Sequence, residues 1–476
     1  MTNANITELS GIEIAGLIRA RDVSATEVMT AIRQRTEQVQ DVCNAFVTLD
    51  WNQALSEAER CDRELRRSND NLPPYYGVPF SVKDLLDTKA MRTTYGSRAL
   101  ATNIPTADVE AVARMRRSGG ILIGKTTTPE FAVQVLTDCD LTGTSRNPWD
   151  VSLTPGGSSG GAGIAAATGA APLAVSTDGG GSSRIPAAAC GILGLKVTLG
   201  AIPHESWPFL YGNNSSVSIN CKFPTDLIGM FNAMSGAHAL DPWSRRPIKR
   251  VQIPKDNQSA LQGRRALFLP NLGGLECDAP VLTVVERMLQ QLVSLGLHVD
   301  CEVGNSLEFK PQIATHMMMA NIAVRMRALT TEQQAGLGAL LRPLLADEDY
   351  LPDGLEIQQT AMERSRLYAR LESVLESYDM IITPTLNASP PPANPSEDQR
   401  VMISGERKAL PKWWSHLSIA NLTGHPAISV PCGIDPNGMP VGLHAVGRWD
   451  NEQQLVDLAF AISSIHDWTT KTHDLG

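Results

Sequence analysis

The first part of the chain, residues 1–70, carries apolar positions at the spacing of amphipathic helices. A more polar helix is predicted over 52–67. Two of the predicted helices open on a capping box, in which serine is followed three positions later by glutamate: Ser10 with Glu13 and Ser24 with Glu27. The pattern therefore predicts that the chain begins with helices.

From residue 75 onward, short apolar runs alternate with helical patterns. Strands are predicted at 77–83, 121–123, 172–176, 297–303, 380–383, 427–432 and 441–446. Helices are predicted at 107–117, 160–170, 280–295, 355–378 and 451–465. Buried strands interleaved with helices are typical of sheets covered on both faces. We therefore predict an α/β fold, with one large α/β/α domain over 1–476 built on a twisted mixed β-sheet.

The segment 305–355 has a less regular pattern. It contains three consecutive methionines at 317–319 and a leucine-rich run near 337–345. Methionine is adaptable, and it serves both as core packing and on flexible binding surfaces. The segment is therefore predicted either as packing or as a mobile, substrate-facing element.

The composition indicates a folded protein with a full-sized core, because 42% of the 476 residues are hydrophobic and 19% are charged. Asp and Glu number 50 against 41 Lys and Arg, and no basic run exceeds a pair. Binding to nucleic acid is therefore not expected. Eight scattered cysteines without a CxxC pair predict mostly reduced, buried thiols and no structural metal site.

One uncharged stretch, between Asp150 and Asp178, is longer than the ~20 residues that a membrane helix needs. Its glycines, serines and prolines would leave a broken helix facing lipid, so no membrane span is predicted there. The N-terminus has neither a basic start nor an apolar run, which argues against a secretory signal. A cytoplasmic location is predicted.

Two nucleotide-binding motifs match only formally. Residues 119–126 fit the phosphate-loop pattern, but the interior of the would-be loop is itself a predicted strand. Residues 161–166 imitate a dinucleotide fingerprint, but no apolar strand precedes them and the next acid, Asp178, comes too early. Neither motif predicts a nucleotide site.

The pattern GxSxG occurs twice in overlap, around Ser158 and Ser159, and raises a serine hydrolase with a nucleophile elbow. The preceding run, 151–155, is half polar and ends in proline, whereas an elbow follows a buried strand. The histidines that would have to supply its base are His416, His425 and His444. This alternative stays open on sequence alone.

Two Gly/Ser clusters flank a helix–strand unit, at 154–161 (TPGGSSGG) and 177–186 (TDGGGSSRIP). Consecutive glycines let main-chain amides converge on one point without intervening side chains, and an oxyanion hole is built in this way. A flexible linker is a weak explanation, because apolar, small-residue segments surround both clusters.

The chain resembles the amidase signature enzymes in both clusters and in further motifs that follow in family order along nearly its whole length. These are 77–84 (GVPFSVKD), 93–97 (TTYGS), 146–150 (RNPWD), 379–384 (DMIITP), 421–427 (NLTGHPA) and 440–447 (PVGLHAVG). The resemblance implies a signature core over about 75–200.

The resemblance also implies a Ser–cisSer–Lys triad with Ser182 as nucleophile, Ser158 as the bridging serine and Lys83 as the base. A lysine can act as a base only when it is neutral, and its apolar neighbours suit a lowered pKa. The side chain of Asp84 should then point away from Lys83. The implied oxyanion hole consists of the amides of Gly179, Gly180, Gly181 and Ser182. Asp178 and Arg184 are expected to fix the loops, and Ser159 and Ser183 to form local hydrogen bonds.

The implied reaction is hydrolysis of a carboxamide or aryl anilide, with carbamates (urethanes) and esters included, and without cofactor or metal. The alternative is the glutaminase subunit of a tRNA amidotransferase complex. The expected partner is a small amide-type substrate, and a homodimer is compatible with the sequence. Gln134 and Trp207, from the variable stretches 130–140 and 203–216, are candidates for substrate contacts.

Overall fold

The structure is a computed structural model, and it describes residues 6–67, 71–205, 210–211, 214–256, 259–346, 351–394 and 400–470. The helices are α1 Gly11–Ala20, α2 Ala25–Cys43, α3 Trp51–Arg67, α4 Glu110–Arg117, α5 Gly160–Thr168, α6 Arg184–Cys190, α7 Pro224–Met234, α8 Ala279–Ser294, α9 Gln312–Arg327, α10 Thr331–Ala335, α11 Pro343–Ala346, α12 Gly354–Ser377, α13 Ser418–Thr423 and α14 Glu452–Ser463. Single 3₁₀ turns lie at Arg98–Leu100, Glu130–Ala132, Leu272–Gly274, Leu410–Trp413 and Ser415–Leu417.

The strands are β1 Phe46–Leu49, β2 Pro79–Lys83, β3 Ile121–Thr126, β4 Asp138–Cys139, β5 Gly143–Thr144, β6 Leu173–Asp178, β7 Leu193–Lys196, β8 Ser216–Cys221, β9 Arg265–Phe268, β10 His298–Cys301, β11 Met380–Pro384, β12 Arg400–Ile403, β13 Glu406–Ala409, β14 Ala427–Ile434 and β15 Pro440–Gly447. Two small hairpins, β4–β5 and β12–β13, stand apart from the main sheet.

The main sheet has eleven strands in the order β1-β3-β2-β6-β8-β7-β14-β15-β11-β9-β10. It is mixed: β3, β2 and β6 run parallel, as do β11, β9 and β10, and the central pairs are antiparallel. Every residue of β2, β6, β8 and β15 is buried, so these strands are covered on both faces. The predicted α/β class and mixed sheet are confirmed.

The parallel neighbours β2 and β6 set the position of the candidate site. In their register Val82 lies beside Val175, which places the carboxyl ends of both strands at the same sheet edge. Lys83 ends β2, and Thr177 and Asp178 end β6. Ligand sites in α/β sheets lie at such carboxyl ends.

The sequence patterns predicted seven of the eleven strands of the main sheet and missed β1, β7, β8 and β9. Both predicted capping boxes, at Ser10 and Ser24, are present. The missed strand β8 carries Ser218 and Asn220 in its centre, so its sequence does not read as apolar although every residue is buried. The Asn220 side chain is satisfied internally, since it accepts from Ser176 Oγ at 2.7 Å and donates to the Ser183 carbonyl at 3.0 Å.

The segment 305–355 contains α9, α10 and α11, which enclose a small apolar cluster of their own around Ile322, Met326, Leu337, Leu341 and Leu344. Met318 and Met319 are half-buried against it, together with Phe131 and Val133 of the loop before β4. The methionines therefore act as packing. A mobile, substrate-facing role for the segment stays a prediction, as does the domain extent 1–476.

The eight thiols are free, and all except the exposed Cys301 are buried. Within the described ranges, no helix has the length and apolar character required to cross a bilayer. The uncharged stretch between Asp150 and Asp178 instead forms the fully buried helix α5 and strand β6.

Substitution of two glycines by alanine should have opposite effects on stability. Gly169 ends α5 at φ +73°, and a Cβ there would lie 2.0 Å from the Thr7 carbonyl oxygen. Gly16 lies exposed inside α1 with no atom within 4 Å of its Cβ position. We expect Gly16→Ala to raise the free energy of unfolding by about 0.5–1 kcal/mol and Gly169→Ala to lower it by more than about 1 kcal/mol, measured in urea. Equal effects at both positions would contradict this account of α5.

Candidate functional site

Lys83 lies at the carboxyl end of β2 and is completely buried. Its Nζ is 2.8 Å from Ser158 Oγ and 3.1 Å from Thr177 Oγ1. Burial lowers the pKa of Lys83 to about 7, while the charge of Asp178 acts in the opposite direction. A neutral Lys83 can donate one N–H to Thr177 and present its lone pair to the Ser158 hydroxyl.

The carboxylate next to Lys83 in the chain points elsewhere, as predicted. Asp84 accepts from the Thr94 amide at 3.0 and 3.1 Å and from the Thr94 hydroxyl. It therefore does not pair with Lys83; burial raises the pKa of Asp84, and the charge of Lys125 acts in the opposite direction.

Ser158 lies in the first Gly/Ser cluster, immediately before α5, and the Gly157–Ser158 peptide bond is cis. The next residue joins the two clusters: the Ser159 amide donates to the Ser182 carbonyl at 3.1 Å, and the Ser159 hydroxyl donates to the Thr177 carbonyl at 3.1 Å. The predicted local hydrogen bond of Ser159 is therefore present.

Ser182 lies on the loop between β6 and α6, and this loop curls around the carboxylate of Asp178. The Gly181 amide donates to Asp178 Oδ1 at 2.6 Å and the Ser183 amide to Oδ2 at 3.2 Å. Ser182 itself is half-buried, and its hydroxyl makes no hydrogen bond within the described part of the chain. Of the implied triad, the structure therefore joins Lys83 to Ser158 by a hydrogen bond but does not join Ser158 to Ser182.

Of the four amides predicted as oxyanion donors, the structure pairs one with Asp178. The Gly181 amide is already paired with a carboxylate, so it is not a free donor in this structure. The amides of Gly179, Gly180 and Ser182 make no hydrogen bond to a side chain of the described residues, and all three residues are only half-buried. Their role as oxyanion donors stays a prediction.

Gly181 has a backbone conformation that favours glycine, whereas Gly179 and Gly180 have no such requirement. Its φ is +123°, and a Cβ there would lie 3.0 Å from the Leu417 side chain. At Gly179 and Gly180, a Cβ would have only ordinary contacts, at 3.7 Å to Ser215 and 3.6 Å to Trp414.

Arg184, the first residue of α6, is completely buried and has partners for its guanidinium on every side. It forms an ion pair with Asp178 through Nε at 2.9 Å and Nη2 at 3.0 Å. Nη2 also donates to Asn421 Oδ1 at 2.7 Å, and Nη1 donates to the Leu417 carbonyl at 2.9 Å. Although burial acts in the opposite direction, the ion pair and hydrogen bonds hold the pKa of Asp178 well below its ordinary value.

This pair ties the Ser182 loop to α13 and β15. Asn421 returns a bond to Asp178 Oδ1 at 3.0 Å, and Arg184 Nη1 lies 2.8 Å from His444 Nε2. Because a guanidinium only donates, His444 accepts at Nε2, and its Nδ1–H donates to Thr383 Oγ1 at 3.0 Å. Asp178 and Arg184 therefore fix the loops, as predicted.

The histidines that the nucleophile-elbow alternative would require are engaged elsewhere. His416 Nε2 lies 2.9 Å from the Pro384 carbonyl oxygen, His425 Nδ1 lies 2.9 Å from Thr423 Oγ1, and His444 is held by Arg184. Burial lowers the pKa of His416 to about 4 and of His425 to about 3. In the described part of the chain, lysine rather than histidine contacts Ser158.

Of the two residues predicted to contact substrate, the structure describes one. Gln134 is half-buried on the loop before β4, and its contact with substrate stays a prediction. Trp207 lies outside the described residues.

Sequence reasoning missed Thr177 as a partner of Lys83, although Thr177 directly precedes Asp178 in the second cluster. It expected a hydrogen bond from Ser183, whose hydroxyl is buried with no partner among the described residues.

A family model described as Amidase matches residues 27–456. The acylamidase of Rhodococcus erythropolis is 30% identical over 99% of this chain and 98% of its own length. A glutamyl-tRNA(Gln) amidotransferase subunit from Symbiobacterium thermophilum is 29% identical over 98% of each chain. A solved bacterial aryl acylamidase aligns with a TM-score of 0.86 and 25% identity over 97% of each chain.

Arg184→Met should destabilise the protein far more than loss of a surface arginine. The variant leaves the Asp178 carboxylate buried without its cation, which costs about 3–5 kcal/mol. Arg33→Met is the matched control, because the exposed pair of Arg33 with Glu37 contributes about 0.3–0.5 kcal/mol. Urea unfolding of both variants measures the difference, and similar losses would show that the buried pair is not required.

Proposed function

The chain belongs to the amidase signature family of C–N hydrolases, and from this premise we propose that it is a stand-alone amidase acting on carboxamides or aryl anilides. Two acylamidases support this scope: the Rhodococcus erythropolis enzyme by sequence and the bacterial aryl acylamidase by sequence and fold. Carbamates and esters fall within the proposal because their hydrolysis passes through the same type of tetrahedral oxyanion.

In the proposed reaction, Ser182 Oγ moves within hydrogen-bond distance of Ser158 Oγ and attacks the carbonyl carbon while its proton passes to Ser158 Oγ. Ser158 in turn gives its own proton to the neutral Nζ of Lys83. The amides of Gly179, Gly180 and Ser182 hold the resulting oxyanion. When the C–N bond breaks, the proton returns from Lys83 through Ser158 to the leaving nitrogen. Water then attacks the acyl-enzyme by the same relay and releases the acid.

One observation carries the proposal: Lys83 Nζ lies 2.8 Å from Ser158 Oγ on a fully buried lysine whose pKa is about 7. Two other lysines serve as internal comparisons, since Lys125 and Lys196 are also fully buried with pKa values of about 8 and 7. Lys196 donates to the His425 carbonyl at 2.7 Å, and Lys125 is held by threonine hydroxyls and the Leu86 carbonyl. Of the three, Lys83 alone contacts a serine.

A second candidate is the glutaminase subunit of a tRNA amidotransferase. It is supported by the 29% identity to the Symbiobacterium thermophilum amidotransferase subunit over 98% of both chains. The test is ammonia release from glutamine. If the protein releases ammonia only when a partner subunit copurifies with it, the second candidate is correct and the first is rejected.

Ser182→Ala should reduce kcat for a chromogenic anilide by roughly 10³- to 10⁶-fold, because it removes the attacking oxygen. Ser183→Ala is the matched control: its hydroxyl is buried without a partner in the described part of the chain, so it should retain near wild-type activity. A steady-state assay with the anilide, a primary carboxamide, a carbamate and glutamine measures both variants. Full activity of Ser182→Ala would reject the mechanism.

The pH dependence should report Lys83. Below pH 7 the amine is protonated and cannot accept the proton, so kcat/KM should fall about tenfold per pH unit; above pH 7 it should level off. Lys83→Met should remove both the activity and the inflection. Circular dichroism at each pH separates unfolding from titration. A profile that stays flat down to pH 5.5 in a folded enzyme would contradict this assignment.

A further inference from the structure

We propose that Trp414 is a specificity-determining wall of the site, which selects amides that carry a planar aryl group next to the scissile bond. This inference rests on the proposed amidase function and adds the substrate class.

Trp414 lies between the two 3₁₀ turns Leu410–Trp413 and Ser415–Leu417, against the loop that carries Ser182. Its Cζ3 atom is 3.6 Å from the position that a Cβ at Gly180 would occupy, so the edge of the indole faces the nucleophile loop. Leu417 fixes this turn: its amide donates to the Trp414 carbonyl at 3.0 Å, and its own carbonyl accepts from Arg184 at 2.9 Å. The indole is therefore anchored to the network that positions the loop.

The preceding residue provides a direct comparison. Trp413 is fully buried, and its Nε1–H donates to the Ala388 carbonyl at 2.8 Å, which is the ordinary state of a structural tryptophan. Trp414 is only half-buried, and its Nε1–H is covered but has no hydrogen-bond partner among the described residues. A covered donor without a partner carries a desolvation penalty, which the Trp413 indole avoids and the Trp414 indole does not. Trp413 therefore has the burial and pairing of a structural tryptophan, whereas Trp414 packs on the apolar cluster around Leu417 with part of its indole exposed.

The loop of the other serine, Ser158, lies against the main chain of Val135. Val135 is half-buried, and a Cβ at Gly157, the residue before Ser158, would lie 2.9 Å from the Val135 carbonyl carbon. Val135 and Trp414 pack against one apolar cluster that includes Ile185 and Leu417. The two segments that lie against the serine loops are therefore supported by the same apolar cluster.

Residues 179–181 of the nucleophile loop are glycines and have no side chains that could contact a substituent of the substrate. Such contacts must come from neighbouring side chains such as Trp414. An indole provides a flat, rigid face, and aromatic rings stack on each other more favourably than their buried area alone predicts. A planar aryl group fits this chemistry better than a flexible alkyl chain.

The test compares Trp414→Leu, Trp414→Phe and the control Trp413→Phe on matched aryl and alkyl amides. Acetanilide with N-hexylacetamide tests an aryl group on the leaving amine, and benzamide with hexanamide tests one on the acyl side. We expect Trp414→Leu to reduce the aryl-to-alkyl ratio of kcat/KM at least tenfold in one of the two arms. Trp414→Phe should retain most of the ratio. Trp413→Phe should lower the melting temperature and leave the ratio unchanged.

Binding of the four amides to the Ser182→Ala variant, with and without Trp414→Leu, separates this inference from the proposed function. If calorimetry shows that Trp414→Leu selectively weakens binding of the aryl amides, the inference holds even where turnover is slow. An unchanged aryl-to-alkyl ratio in both binding and turnover would overturn it while hydrolysis persists. A wild-type enzyme that neither binds nor hydrolyses any of the four amides would overturn the proposed function and this inference with it.

Discussion

A buried ion pair, Asp178 with Arg184, is the interaction on which the candidate site depends. Both side chains are completely buried, and two charges in such a place are tolerated only when hydrogen bonds surround them. The required bonds come from the amides of Gly181 and Ser183 and from Asn421. By satisfying the carboxylate, the chain bends the loop that presents Ser182. The conformation of the nucleophile loop is thus a consequence of burying one carboxylate.

The same pair affects the electrostatics of the base. A free carboxylate at position 178 would favour the protonated form of Lys83, and its charge does act in that direction. Burial outweighs this charge and lowers the pKa of Lys83 to about 7, while the same carboxylate is paired with the guanidinium of Arg184 at 2.9 Å. The ion pair therefore shapes the loop, and the burial of Lys83 is what favours an uncharged amine beside Ser158.

Much of this arrangement could be predicted from sequence, because it depends on local signals. Capping boxes at Ser10 and Ser24, apolar strand runs and the two Gly/Ser clusters depend on neighbours in the chain, and the structure contains them. Strand β8 was missed because its buried polar side chains are satisfied by partners far along the chain, as with Asn220. The commitment of the Gly181 amide to Asp178 was missed for a similar reason: loop glycines look equivalent in sequence, and only the fold distinguishes them.

Burial alone does not make a lysine a base. Lys83, Lys125 and Lys196 are all fully buried, and desolvation lowers the pKa of each. Burial and a lowered pKa therefore do not distinguish Lys83 from the other two. They differ in what the amine contacts, and strand register determines that contact. Because β2 and β6 run parallel, Lys83 emerges at the edge where β6 ends in Thr177. The hydrogen bond from Ser159 to the Thr177 carbonyl brings the first cluster to the same edge. Sheet topology, rather than the acidity of one residue, therefore selects the lysine that reaches a serine.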